Sequence, residues 1–404
     1  MSDNDRYYLT SHPWISFGLD LKNAPFTLWL LLGAAESKCK HLAGIPLRPE
    51  KQEELNRVSL EKGVHATTAI EGNTLSEDDV AKISKGTHTG IPKSQDYQRQ
   101  EVQNMLDAYN AVLDAIKEGR GCGVSFEALQ EDNVGILKGQ NLKDGIVAGE
   151  MRTHAVVVNR YRGAPAEDCA YLVRKLFQWI NEDWGLKEEH PLVEGILKAI
   201  MAHLYVAWIH PFGDGNGRSA RLLEFRLLMN AGVPLNAAHL LTSYYNKTRS
   251  LYYDTLEATS RTIQKKEGNP IVFVLYALQG FVDALDEQIR SILQEQLDVT
   301  WENYIHKTVF GGKMTPALRR RRDLLLEIST FKEPVFYSEL KRRLSDGLLK
   351  LYQDKTPRAL MRDLNDLEKR QLIRRMPGDI AAKDRYIAAK DRMRAFLPLC
   401  NAPQ

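Results

Sequence analysis

Two apolar segments of helix length, joined by a loop with glycines at alternate positions, set the strongest limit on how this chain folds. Leu197 to Ile209 reads LKAIMAHLYVAWI, an apolar run long enough for a buried helix. Downstream, Ser219 to Asn230 puts Leu222, Phe225 and Met229 on one helical face. The loop from His210 to Arg221, HPFGDGNGRSAR, is therefore expected between two core helices.

The loop's residue types suit a chain of phosphates. Gly215 and Gly217 can place backbone amides where a side chain would block them. With Asn216 they lead into a helix whose first-turn amides and dipole favour an anion. Arg218 and Arg221, three apart at the start of that helix, project to neighbouring positions and can grip successive phosphates, at ~1.5–3 kcal/mol per charge-assisted bond. Asp214 is a hard oxygen ligand suited to Mg²⁺ shared with those phosphates. His210 alone in the loop takes up a proton near neutral pH.

At every specified position this loop resembles the Fic family signature HPFx(D/E)GNGRxxR, through His210, Pro211, Phe212, Asp214, Gly215, Asn216, Gly217, Arg218 and Arg221. The resemblance implies a mainly α fold, a helical core with a short β-hairpin flap. It also implies transfer of AMP from ATP to a Ser, Thr or Tyr hydroxyl of a target protein, the chain itself among the targets, with release of pyrophosphate. On that footing His210 deprotonates the hydroxyl, Asp214 holds Mg²⁺, Gly215 to Gly217 line the anion hole, Arg218 and Arg221 bind the outer phosphates, and Phe212 anchors the loop.

A second segment, Thr67-Thr68-Ala69-Ile70-Glu71-Gly72-Asn73, fits the (S/T)xxxE(G/N) inhibitory motif of many Fic proteins. Val64 to Glu71 is expected to form two helical turns ended by Gly72, with Thr67 and Glu71 on one face. Alone, TTAIEGN reads as an ordinary helix end. Beside the loop, residues 64–72 resemble the inhibitory helix whose glutamate pairs with the second motif arginine, here Arg221, and denies it to the γ-phosphate. The same carboxylate can orient a water against a phosphodiester, which in some relatives removes AMP.

Gly149 to Pro165 holds a valine-rich run bounded by Gly and Pro and reads as a short hairpin. It occupies the place of the Fic flap, which pairs with the target backbone and covers ATP, so Val158 and Asn159 are expected at the nucleotide. Tyr252 and Tyr253 resemble the Tyr pair near the adenosine and can offer a ring face and a hydroxyl. Thr248 stands where many relatives have Asn, so no adenine hydrogen bond is carried over to it.

Residues 1–110 hold Trp14, Phe17, Phe26 and Trp29, a helix opened by Pro49 and an N-cap signature at Ser76. Residues 111–300 form the expected catalytic core, with helical segments at Ala170–Asn181, Leu192–Ile209, Ser219–Asn230 and Ile271–Leu293. From Gly311 the character changes, with 22 Lys and Arg against 12 Asp and Glu. There residues 311–404 read as helices at Pro316–Thr330, Tyr337–Leu344 and Thr356–Leu372, then a hairpin turning at Pro377-Gly378, which is the winged-helix order. Arg358, Arg362, Lys369 and Arg370 permit DNA binding, although Asp363, Asp366 and Glu368 interrupt them, and winged helices also serve as docking or homodimer modules.

Cys39, Cys122, Cys169 and Cys400 are widely spaced, which predicts free thiols in a reducing compartment and no zinc site. The start lacks a signal-peptide plan and Pro25 to Ala35 is too short to span a bilayer, so a cytoplasmic protein without membrane insertion is expected. Two classes compete: a regulated enzyme that modifies proteins with AMP, and a nucleotide-sensing DNA-binding regulator. Within the family, AMP removal and transfer of another group stay open. The complete His210 loop favours the first class, since a sensor needs the cradle and not the base.

Overall fold

The computed structural model describes residues 5–87, 90–121, 123–158, 161–184, 190–264, 270–356, 358–376 and 384–393. It divides into two compact units, residues 1–287 and 288–404. Residues 1–110 and most of 111–300 lie in the first unit, where the helix Pro49–Ile70 packs on the helices Asn216–Asn230, Leu235–Ala238 and Leu240–Lys247. The division falls inside the helix Ile271–Tyr304.

The first unit is helical. After the short α1 (Tyr8–Ser11) come α2 (Phe26–Gly44), α3 (Pro49–Ile70), α4 (Glu77–Ser84), α5 (Asp96–Lys117) and α6 (Phe126–Ile136). Then follow α7 (Cys169–Asn181), α8 (Pro191–Ile209), α9 (Asn216–Asn230), α10 (Leu235–Ala238), α11 (Leu240–Lys247), α12 (Arg249–Gln264) and α13 (Ile271–Tyr304). Helix α8 is long and apolar enough to cross a membrane by length and composition, but most of it is buried inside this unit. Its Leu197, Ile200, Met201 and Leu204 are fully enclosed, and it packs along α9. Tyr109 of α5 closes on Phe225 of α9 with ring centroids 4.4 Å apart, so α5 and α3 lie over the helix that follows the loop.

Several boundaries differ from the sequence pattern. Pro49 opens α3 as expected, but the helix runs unbroken to Ile70, so the residue 64–70 turns are the end of a 22-residue helix. Gly72, at φ +100°, turns the chain away, with Gly72 N–H on the Ala69 carbonyl and Asn73 N–H on that of Thr68. Ser76 caps α4 in a reciprocal box with Asp79. Helix α9 begins at Asn216 and not at Ser219, so the second half of the loop motif is already helix. The hairpin is short, β1 (Val157–Val158) against β2 (Tyr161–Arg162), with Asn159 outside the described residues. Cys39 and Cys169 are free and buried, while Cys122 and Cys400 lie outside the described residues.

The second unit contains α14 (Pro316–Ser329), β3 (Val335–Phe336), α15 (Tyr337–Arg343), α16 (Asp346–Gln353), α17 (Ala359–Lys369), β4 (Ile373–Met376) and β5 (Arg385–Ala388). The strands form an antiparallel sheet of order β3-β5-β4. Three helices and a two-stranded hairpin were too few: α16, capped by Ser345, and β3 escape a pattern reading because both are short. Pro357 and the Pro377-Gly378 turn lie outside the described residues. Leu324, Leu325, Ile328, Leu364, Leu367 and Tyr386 form the core of this unit.

Candidate functional site

The α8–α9 loop is held by buried polar side chains from elsewhere. His210 ends α8 in the left-handed region, at φ 51° and ψ 60°, which a residue with a Cβ adopts at a cost. Arg152 fixes it there: its Nε donates to the His210 carbonyl at 2.7 Å, Nη1 to that of His154 at 2.6 Å, and Nη2 to Ala164 and Ile209. Its backbone N–H also meets the Pro211 carbonyl at 2.9 Å. Phe212 is buried, and Asn216 clasps its peptide from both sides, accepting from Phe212 N–H at 2.8 Å and donating to the Phe212 carbonyl at 2.7 Å. The Asn216 side chain is thus spent on the loop, and only its backbone amide remains for an anion. Asn133, fully buried on α6, donates to the Asp214 carbonyl at 3.0 Å and accepts from Gly149 N–H at 2.9 Å.

Gly215 initiates α9 at φ +75°, and a Cβ there would press on Asn133 and Leu137. At Gly217 a Cβ would collide with Glu71 Oε1 and crowd the Arg221 guanidinium. The absent side chain is what lets Glu71 reach the first turn of α9. That turn leaves amides without intrahelical partners, beside a positive dipole end.

The two arginines do not share one target. Arg221 is buried on α9 and donates Nε to Thr67 Oγ1 at 2.8 Å and Nη2 to the Thr67 carbonyl at 3.1 Å and Glu71 Oε1 at 2.5 Å. Thr67 and Glu71 thus lie on one face of α3, as their spacing predicts. Arg218 points away, donating Nη1 to Glu101 Oε1 of α5 at 2.7 Å and lying 3.4 Å from Asp214. In this structure each arginine meets its own acid, since a step of three residues turns about 300° around the helix. Glu101 in turn accepts from Asn73 Nδ2 at 3.0 Å. Segment 67–73 therefore reaches one arginine directly and the other through Asn73 and Glu101.

A cavity of about 440 Å³ opens beside this network, lined among others by Glu71, His210, Gly217, Arg221, Tyr252 and Tyr253. Asp214, Gly215, Asn216, Arg218, Thr67 and Gly72 do not line it. Tyr161 of the hairpin does line it, its hydroxyl donating to the Trp208 carbonyl at 2.8 Å. Val158 sits in β1, paired with Tyr161. The Tyr252 hydroxyl is engaged within the fold, 2.8 Å from His203 Nε2, and His203 Nδ1 lies 3.3 Å from Glu224. Only its ring remains for a nucleoside. Thr248 is also occupied, by the Tyr244 carbonyl at 2.8 Å and the Tyr276 hydroxyl at 2.6 Å.

Electrostatics suit a base and a charged carboxylate. Burial, together with the Arg152 charge, lowers His210 to about 4, despite opposing pulls from Glu71 and Asp214. The imidazole is therefore neutral at pH 7 and able to accept a proton. Burial pushes the Glu71 carboxyl up, but the Arg221 charge and hydrogen bond more than reverse this and hold it below its ordinary value. Burial raises Glu101, against the pull of Arg218. Sequence reasoning missed Glu101, Asn133 and Arg152; isolated polar residues far from the loop gave no signal.

Residues 129–228 match the family model described as Fic/DOC family. Over 197 residues the chain is 28% identical to "Protein adenylyltransferase fic-1" of Caenorhabditis elegans, covering 49% of this chain and 36% of that protein. It is 29% identical over 197 residues to "Protein adenylyltransferase Fic" of Culex quinquefasciatus, with the same 49% and 36% coverage. The chain thus spans only about a third of the length of these relatives. Among solved structures, a Fic family protein from Desulfovibrio desulfuricans G20 is similar with a TM-score of 0.53 at 22% identity, over 90% of this chain and 96% of that one. Fic-1 from C. elegans gives 0.52 at 23% identity, over 66% and 73%. Those likenesses concern the fold. Residues 129–228, with the loop they contain, are thus similar to the Fic/DOC family.

Proposed function

We propose that the chain is a protein adenylyltransferase, transferring AMP from ATP to a hydroxyl side chain of a protein. The observation that carries this reading is the neutral His210, fixed in a left-handed turn at a cavity that it shares with Arg221 and the first turn of α9. The names of the relatives support it. In this mechanism His210 accepts the hydroxyl proton, the freed oxygen bonds to the α-phosphorus, the bond to the bridging oxygen breaks, and pyrophosphate leaves. The first-turn amides of α9 take charge building on the phosphoryl oxygens. Arg221 and Arg218 hold the outer phosphates once released from Glu71 and Glu101.

Asp214 fits Mg²⁺ as a lone carboxylate about half exposed beside the loop, since that ion keeps several waters and takes phosphate oxygens for the rest. It would supply charge neutralisation there. Glu71 acts as the inhibitory residue by occupying Arg221. Its carboxylate faces the same cavity as His210, which favours AMP removal as the second reading.

The test is incubation of the protein with α-labelled ATP, Mg²⁺ and a lysate. Label is expected on the chain and on discrete target bands, and His210→Ala should lose ~10²–10⁴-fold in rate while still binding ATP. Equal labelling by parent and His210→Ala would overturn the reading. Release of AMP from pre-labelled protein, dependent on Glu71, would favour the second reading.

A further inference from the structure

The reaction leaves unused a basic helix face in the second unit. Helix α17 buries Ala359, Leu360, Asp363, Leu364 and Leu367. Its opposite side exposes Arg358, Arg362, Asn365 and Lys369, at i, i+4, i+7 and i+11. At 100° and 1.5 Å per residue these four share an arc of about 60° and extend about 16 Å along the axis. None of the four has an ion pair or side-chain hydrogen bond among the described residues.

The acidic residues that break this stripe in the sequence do not break it in space. Asp363 is fully buried and accepts from Arg320 Nε at 2.7 Å, Arg321 Nε at 2.9 Å and the Tyr352 hydroxyl at 3.0 Å. Asp366 is paired with Arg321 at 3.1 Å and Arg370 at 2.9 Å. By helical phase, Asp366 and Glu368 lie about 70–90° to either side of the stripe. The acids lock α17 onto α14 or flank the basic face.

The order of elements, with α17 leading into the β4–β5 hairpin and a third strand closing the sheet, is that of a helix presented to a groove. We infer that the second unit is a winged-helix module that binds duplex DNA, with Arg358, Arg362, Asn365 and Lys369 of α17 facing the major groove. The stripe's length and width suit a groove about 12 Å wide. Its chemistry suits base edges, since Arg matches guanine O6 and N7 and Asn matches adenine N6 and N7. A protein-docking helix would bring aromatic or aliphatic anchors, and no exposed large hydrophobic residue lies on α17 among the described residues. The inference does not rest on AMP transfer.

The experiment follows binding of the full-length protein, without ATP, to a labelled mixed-sequence duplex of about 30 base pairs, from about 50 to 200 mM salt. Binding is expected at low salt and should weaken steeply, by about 0.9 in log K per log salt for each phosphate contact. Arg362→Glu with Lys369→Glu, both surface changes, should cost at least tenfold in affinity and flatten the slope by about 2, with AMP transfer equal to the parent. Absence of binding at the lowest salt overturns the inference, as does equal binding by the double variant. Displacement by poly-glutamate of equal charge as readily as by unlabelled duplex also overturns it, pointing instead to an acidic protein. Loss of AMP transfer in both proteins would bear on the reaction alone.

Discussion

Replacing Glu71 by Gly should raise AMP transfer while lowering stability, two opposite movements from one bond. Glu71 Oε1 accepts from Arg221 Nη2 at 2.5 Å, and a charge-assisted bond of this kind contributes ~1.5–3 kcal/mol. The Glu71 side chain is 31% exposed, so solvent screening reduces the figure to about 1–2 kcal/mol. Freed from that competitor, Arg221 keeps its Thr67 partners at 2.8 and 3.1 Å and remains aimed. An advantage of about 1–2 kcal/mol for the γ-phosphate corresponds to roughly a 5–30-fold gain in rate. The buried guanidinium meanwhile loses its carboxylate, which should cost ~1–3 kcal/mol of folding stability and lower the Tm. Initial rates of α-labelled AMP incorporation and a thermal melt read the two effects. Adding Arg221→Ala should erase most of the gain, since both changes act on one interaction. Unchanged transfer at saturating ATP and Mg²⁺, with the fold intact, would refute the inhibitory assignment.

The acid limb of kcat/KM should fall near pH 4 and not near 6.5, because His210 must be neutral to act and its pKa is lowered to about 4; a pH–rate profile with half-loss above pH 6 contradicts this. Folding stability should decline as pH falls below 6.5, because His210 and His239, lowered to about 4 and about 3, resist protonation only when folded; each costs about 2 kcal/mol at pH 5, visible as a falling Tm that His239→Gln partly flattens. Arg152→Lys should cost ~2–4 kcal/mol in denaturant unfolding and reduce transfer, since an ammonium cannot reach the spread of carbonyls that the guanidinium serves. Tyr252→Phe should lower stability by ~1 kcal/mol and leave ATP affinity within a few-fold, because its hydroxyl is bound to His203; a large rise in the ATP Kd would return that hydroxyl to the nucleoside.

What the sequence made legible was local. Pro49, Gly72 and Ser76 mark helix ends through backbone rules that act within four residues, and all three do so in the structure. The apolar periods of α8 and α9 predicted the frame of the loop, and the i,i+4 spacing of Thr67 and Glu71 predicted their common face. The start of α9 was placed late because Asn216 and Gly217 are poor helix formers, and here the Asn216–Phe212 clasp overrides propensity. Arg152, Asn133 and Glu101 were illegible for a different reason. Each lies 58 or more positions from the partner that gives it meaning, and a single charged or amide residue normally signals only a solvated surface.

The same distinction explains why the arginines were half understood. Spacing placed Arg218 and Arg221 at neighbouring positions of one helix start, but what each faces is decided by α3 and α5, which residue order in α9 cannot encode. The structure gives each a carboxylate, Glu71 for Arg221 and Glu101 for Arg218, and joins the two through the Asn73 amide. On the proposed reading, a nucleotide entering this site exchanges protein carboxylates for phosphate oxygens at two guanidiniums. The turn that Gly72 allows at the end of α3 carries both Glu71 and Asn73, so displacing it would release Arg221 and also take the Asn73 partner from Glu101, whereas substitution of Glu71 acts on Arg221 alone.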